Sequence, residues 1–145
     1  MLVGIGSDHG GFRLKEDIKQ YLQEQGINFT DFGTCSTDSV DYPDVSREVA
    51  QAVADGKCDR GIIICGTGIG VSIAANKIRG IRAALCHDVY SAQMSREHND
   101  ANILTMGERV IGMGLARAIV EKWLATEFAG GRHSRRVCMI ADLER

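Results

Sequence analysis

A chain of 145 residues, 44% hydrophobic and 25% charged, has the material for one soluble globular domain over residues 1–145, which excludes disordered and fibrous classes. Its formal net charge of -2 gives no general attraction to nucleic acid, so any anion must be held by a local group of cations. The five cysteines form an odd set with no C-x-x-C pair and no zinc-ligand spacing, and no apolar run is long enough for a signal segment or a membrane span, so a cytoplasmic protein with free thiols is expected.

Short apolar runs alternate with helical patterns along the chain. Leu2 to Gly6 reads as a first strand, and Leu14, Ile18, Tyr21 and Leu22 then recur at helical spacing, with Gly26 as a stop. Ile27 to Phe32 forms a second strand, and Val45, Val49 and Val53 mark a helix after Pro43. Gly61 to Cys65 is a third strand followed by a helix from Ile69 to Ile78. Ile81 to Cys86 is a fourth, followed by a helix from Asp88 to His98 with Asp88 placed to cap it. Asn102 to Met106 completes five strands, and Leu115, Ile119, Val120, Trp123 and Leu124 give the most amphipathic helix. After Gly130 and Gly131, Val137, Ile140 and Leu143 predict a sixth helix that docks on the body. Continuous apolar strands alternating with helices predict a three-layer α/β/α Rossmann-like domain around a five-stranded parallel sheet.

Ligands of such sheets bind at the carboxyl ends of the strands. There this sequence places Ser7-Asp8-His9-Gly10-Gly11, Cys65-Gly66-Thr67-Gly68-Ile69-Gly70 and His87-Asp88. Glycines between a strand and a helix let N–H groups face a cavity, so Gly66 to Gly70 is a candidate anion hole. A dinucleotide-binding loop would need a third glycine where Val71 stands, although Asp88 follows at roughly the 20-residue spacing of that motif. Cys65 closes a strand and opens this loop, the kind of position where a thiol gains thiolate character. Cys58, Cys86 and Cys138 suit the ordinary role of buried packing. His98 and Asn99, like Asp8 and His9, carry groups suited to sugar hydroxyls, whereas His87 is read as structural. Arg132 and Arg136, four apart on one helix face, could grip a phosphate, and Arg109 is a further candidate.

Together, Ser7-Asp8-His9-Gly10-Gly11, Asp41-Tyr42-Pro43, the Cys65 to Gly70 loop, Arg96-Glu97-His98-Asn99-Asp100 and Gly130-Gly131-Arg132-His133 resemble the type B ribose-5-phosphate isomerases, in order and over nearly the whole chain. Sister enzymes in that family act on allose 6-phosphate and galactose 6-phosphate. The resemblance implies an aldose-ketose isomerase with Cys65 as the proton-transferring base, Thr67 as a proton shuttle and His98 as the ring-opening group. It implies Gly66, Gly68, Ile69 and Gly70 amides around an enediolate, and Asp8, His9 and Asn99 on sugar oxygens. Arg109, Arg132 and Arg136 would hold the phosphate. It further implies a place in the pentose phosphate pathway, no metal or other cofactor, and a homodimer or higher oligomer whose sites lie at the subunit interface. Two other readings compete: a nucleotide-binding Rossmann module, and a phosphosugar sensor without catalysis, which would need no thiol at position 65.

Overall fold

The computed structural model describes all 145 residues. Five parallel strands, β1 (Leu2–Ser7), β2 (Asn28–Asp31), β3 (Arg60–Cys65), β4 (Ala83–Leu85) and β5 (Ile103–Gly107), form one sheet in the order β2-β1-β3-β5-β4. Six α-helices surround it: α1 (Phe12–Glu24), α2 (Tyr42–Ala54), α3 (Ile69–Ala75), α4 (Val89–Asn99), α5 (Met113–Ala125) and α6 (Arg132–Asp142). The face each crossover covers follows from handedness. The chain moves one way across the sheet through α2 and α3 and the other way through α1 and α4, and right-handed connections must then place these pairs on opposite faces.

Packing agrees residue by residue. Alternation along β3 sends Ile62 and Ile64 into a core with Leu14 and Ile18 of α1, Ala92 of α4 and Ile119 and Trp123 of α5. Ile63 and Cys65 enter the other core, with Val49 and Val53 of α2 and Val71 and Ala75 of α3. Two sheet glycines mark where α2 comes closest: a methyl group at Gly6 would lie 2.7 Å from Val45 and one at Gly61 2.9 Å from Val49. The amphipathic reading of α5 holds for Ile119, Val120, Trp123 and Leu124, which are buried, whereas Leu115 is exposed and the neighbouring Ala116 faces the core in its place.

Four expectations change. α3 ends at Ala75 rather than Ile78, because Asn76 turns to pair with Ala83 in both directions, donating to its carbonyl at 3.0 Å and accepting its N–H at 2.8 Å. β4 is three residues long, half the run from Ile81 to Cys86. Helix α6 forms, yet it buries no residue on this chain; Met139, Ile140 and Leu143 stay exposed. Cys138, on the same helix, is therefore exposed, whereas Cys58 and Cys86 are buried as expected.

Candidate active site

The ends of β1 and β3 lie side by side where the outgoing connections diverge, to α1 on one face and α3 on the other. That divergence opens a crevice. A cleft of about 470 Å³ occupies it, lined by Asp8, Tyr42, Cys65, Gly66, Thr67, Ile69, Gly70, Ile73 and Arg109. Such a volume falls in the range of small-molecule sites.

Each wall has a local cause. Asp8 is nearly buried, and its Oδ1 accepts the N–H groups of Gly10 (2.9 Å) and Gly11 (3.1 Å), which fixes the short 3-10 turn His9–Gly11. Cys65, the last residue of β3, is 6% exposed, and the Gly68 N–H donates to its Sγ at 3.0 Å. Gly68 has φ +77°, a left-handed conformation that aims this N–H back at the sulfur. Thr105 Oγ1 donates to the Gly68 carbonyl at 3.0 Å from the adjacent strand, so the loop is held from below as well. Thr67 Oγ1 accepts the Ile69 N–H at 3.2 Å and keeps its own proton free to donate. The Gly66 and Gly70 N–H groups make no hydrogen bond within the chain, which leaves two amides for a developing negative charge. Arg109 donates its backbone N–H to the Gly66 carbonyl at 3.1 Å and forms no ion pair within the chain, so an exposed cation stands over the loop.

Three residues outside the sequence-derived set shape this cleft. Tyr42 opens α2 with Pro43 behind it, and its ring packs over Gly70, where a methyl group would fall 2.7 Å from the ring carbon Cζ. Ile73 adds an exposed apolar side chain one helical turn beyond Ile69. His87 accepts the Gly107 N–H at 2.9 Å, and burial lowers its pKa, which keeps that nitrogen an acceptor. Gly107 in turn lets the strand touch Thr67, whose Cα would lie 2.7 Å from an added methyl. His87 is thus structural, as the sequence suggests, but the structure it supports is the loop itself. The signal for Tyr42 was position: the first residue of α2 sits at the same edge of the sheet as the end of β3.

His9 lies beside the cleft, its Nδ1 accepting the Val40 N–H at 3.2 Å, which assigns the proton of the neutral ring to Nε2. The remaining sequence-derived residues are elsewhere. His98 and Asn99 end α4, an eleven-residue helix that runs about 16 Å back from the cleft edge to the starts of the strands. Arg82, immediately before β4, donates to the Asn99 carbonyl at 3.0 Å and fixes Asn99 at that far edge. Helix α6 lies there too, through His133 stacked on His98 and Glu144 accepting the Gly80 N–H at 2.9 Å. Arg132 and Arg136 are exposed on α6 without ion-pair partners in the chain. The predicted set therefore divides in two: Asp8, His9, Cys65 to Gly70 and Arg109 at one edge of the sheet, His98, Asn99, Arg132 and Arg136 at the other.

The family described as Ribose/Galactose Isomerase matches residues 3–140. The chain belongs to this family. Ribose-5-phosphate isomerase B of Escherichia coli is 51% identical over 142 residues, 98% of this chain and 95% of that one. A D-erythrulose-4-phosphate isomerase of Pectobacterium atrosepticum is 48% identical, covering 98% of this chain and 94% of its own. Among solved structures, Clostridium thermocellum ribose-5-phosphate isomerase B superposes with a TM-score of 0.98 at 60% identity, over 99% of this chain and 97% of that one. The protein is thus an isomerase with the family's α/β fold, and its α6 is part of that fold. A nucleotide-binding module loses its support: strand order differs from the dinucleotide-binding arrangement, and Val71, where a third glycine would stand, is fully buried core. No helix is long and apolar enough to cross a membrane.

Proposed function

We propose that the chain is one domain that interconverts ribose 5-phosphate and ribulose 5-phosphate in the cytoplasm, within the pentose phosphate pathway, through an enediolate. The observation that carries this reading is Cys65 Sγ beside free loop amides in a cleft headed by an unpaired arginine. Isomerisation needs a base at C2, charge stabilisation at an oxygen and a hold on phosphate.

His98 opens the furanose by giving a proton to the ring oxygen as the bond between C1 and that oxygen breaks, and it takes back the proton that the C1 hydroxyl loses in becoming the aldehyde, with Asp8, His9 and Asn99 holding hydroxyls. Cys65, as the thiolate, takes the C2 proton, and the electron pair moves onto the C1 oxygen. The Gly66 and Gly70 N–H groups receive that negative charge, while the Gly68 and Ile69 amides hold Cys65 and Thr67 in place. Thr67 passes a proton between O2 and O1, and the thiol returns its proton to C1, so no net proton is consumed. Arg109, Arg132 and Arg136 bind the phosphate. Preorganised amides of this kind each contribute about 100-fold or more in rate, and no step requires a metal or other cofactor.

His98 cannot meet Cys65 within one chain, because α4 separates them across the sheet. We therefore assign each site to two copies: Cys65 from one, and His98, Asn99, Arg132 and Arg136 from the partner. Exposed Ile69, Ile73 and Tyr42 beside the cleft, and exposed Met139 and Ile140 on α6 with Leu143 just after it, support a second copy seated across both edges. Refolding Cys65→Ala together with His98→Asn tests the assignment. A mixed two-fold dimer puts both defects in one site and leaves the other whole, so equal mixing restores about a quarter of native activity. Mixed dimers verified by mass without recovered activity would place both residues in one chain's site.

A further inference from the structure

His98 and His133 stack face to face across α4 and α6, ring centroids 4.2 Å apart and planes 14° from parallel. The two rings sit in opposite settings. His98 lies in the last turn of α4, where the carbonyl end of the helix favours a cation. His133 lies in the first turn of α6, where the N–H end opposes one, and the flanking Arg132 and Arg136 add like charge. Loss of hydration first, then His98, Arg132 and Arg136, hold the His133 pKa below the usual histidine value, with Glu97 of α4 pulling the other way. Two protonated imidazoles at this separation would repel, whereas one neutral ring packs well against a protonated one. The stack and its surroundings therefore favour an uncharged His133 ring against His98.

We propose that His133 is a positioning residue for His98: its ring backs the His98 imidazole and fixes the plane in which that imidazole meets the sugar. This rests on the ring-opening role given to His98 above. Besides His98, the charged groups that act on the His133 ring are Arg132 and Arg136 of its own helix and Glu97 of α4. The device explains a feature that phosphate binding alone does not. A histidine set between two arginines adds no permanent charge to a phosphate grip, but it does give His98 a flat, uncharged support.

Three variants of the full protein separate support from charge. His133→Ala removes the plane and lowers turnover of ribose 5-phosphate about fivefold, the scale of one aromatic pair. Solvent exchange at C1 of ribulose 5-phosphate, which has no ring to open, stays at the wild-type rate. His133→Phe restores the plane without a titrating group and recovers most of the loss. His133→Lys sets a fixed cation against His98 and moves the limb of the kcat–pH profile that His98→Asn abolishes to lower pH, by about half a unit to one unit. Proton NMR of the His98 ring reads the same displacement without turnover. Native rate and profile in His133→Ala and His133→Lys, with turnover lost in His98→Asn, would overturn the positioning role alone. Turnover retained in His98→Asn would instead remove the ring-opening assignment, and the proposal with it.

Discussion

Gly68 is where backbone conformation, packing and chemistry meet, so Gly68→Ala is the most informative single change. Alanine at φ +77° costs about 1–2 kcal/mol from conformation alone. The added methyl would also lie 2.6 Å from Leu85 Cδ1 and 2.8 and 2.9 Å from the backbone of Met106, the next-to-last residue of β5. A leucine tip can yield; a strand backbone cannot, so the loop must move instead. That motion carries the Gly68 N–H away from Cys65 Sγ and shifts the neighbouring amides. Loss of one such donor predicts a fall in kcat of about 100-fold or more, together with about 2–4 kcal/mol of stability. Gly80→Ala supplies the control. Gly80 has φ +85° but nothing within 4 Å of an added methyl, and it lies at the far edge of the sheet. It should lose about 1–2 kcal/mol, a melting temperature lower by roughly 2–8 °C, with unchanged turnover per site. Steady-state isomerisation and thermal unfolding on both variants decide the matter. Equal kinetic behaviour of the two would refute the claim that the Gly68 amide serves the reaction.

Cys65→Ala should abolish turnover by at least about 100-fold, the lower end for a lost general base, while far-ultraviolet circular dichroism and melting stay near native; retained turnover would remove Cys65 as the base. Acid stability should depend on Asp31. Burial works against its ionisation, but hydrogen bonds from Lys15, Lys19 and the Gly33 N–H outweigh this and hold its pKa below the ordinary 3.8. The depressed value makes its contribution complete above about pH 4 and lost as pH falls through the native pKa. Asp31→Asn leaves the fully buried Lys15 ammonium with only the more distant Glu16 carboxylate at 3.6 Å and the Thr34 carbonyl, which costs about 2–3 kcal/mol at pH 7, less than for a fully enclosed pair because Asp31 reaches water. Urea unfolding between pH 2 and 7 should show the wild-type and variant curves converging in acid; a constant gap would refute the linkage.

The sheet was legible in the sequence because fully buried parallel strands read as unbroken apolar runs; β3 is buried at all six positions. Helix faces were legible from spacing. Less so were the places where a side chain replaces a continuing element: Asn76 pairs with Ala83 and so ends α3 and shortens the approach to β4, and no periodic signal marks that substitution. Burial of α6 was overread for a different reason. An apolar stripe states that a surface will be covered, and says nothing of whether the cover lies in the same chain. Val137 is half-buried, while Ile140 and Leu143 stay exposed above an open groove with Ile81, Ala83, Ala84 and Ala101 rather than closing on it.

The site was legible by halves, and the division has a topological cause. A residue that ends a strand in a parallel sheet stands at the carboxyl edge, and one that ends the following helix stands at the opposite edge, since the helix must return the chain before the next parallel strand can begin. Asp8 and Cys65 end strands, and His98 and Asn99 end a helix. Once the sequence shows β-α-β alternation, these two pairs are fixed some 16 Å apart by the eleven residues of α4, whatever the side chains do. Chemistry that requires a thiolate and an imidazole around one small sugar then demands a second copy of the chain. The proposed two-copy site gives the exposed stripe on α6 a use: the helix that carries Arg132 and Arg136 is free to reach the phosphate in the cleft of a second copy.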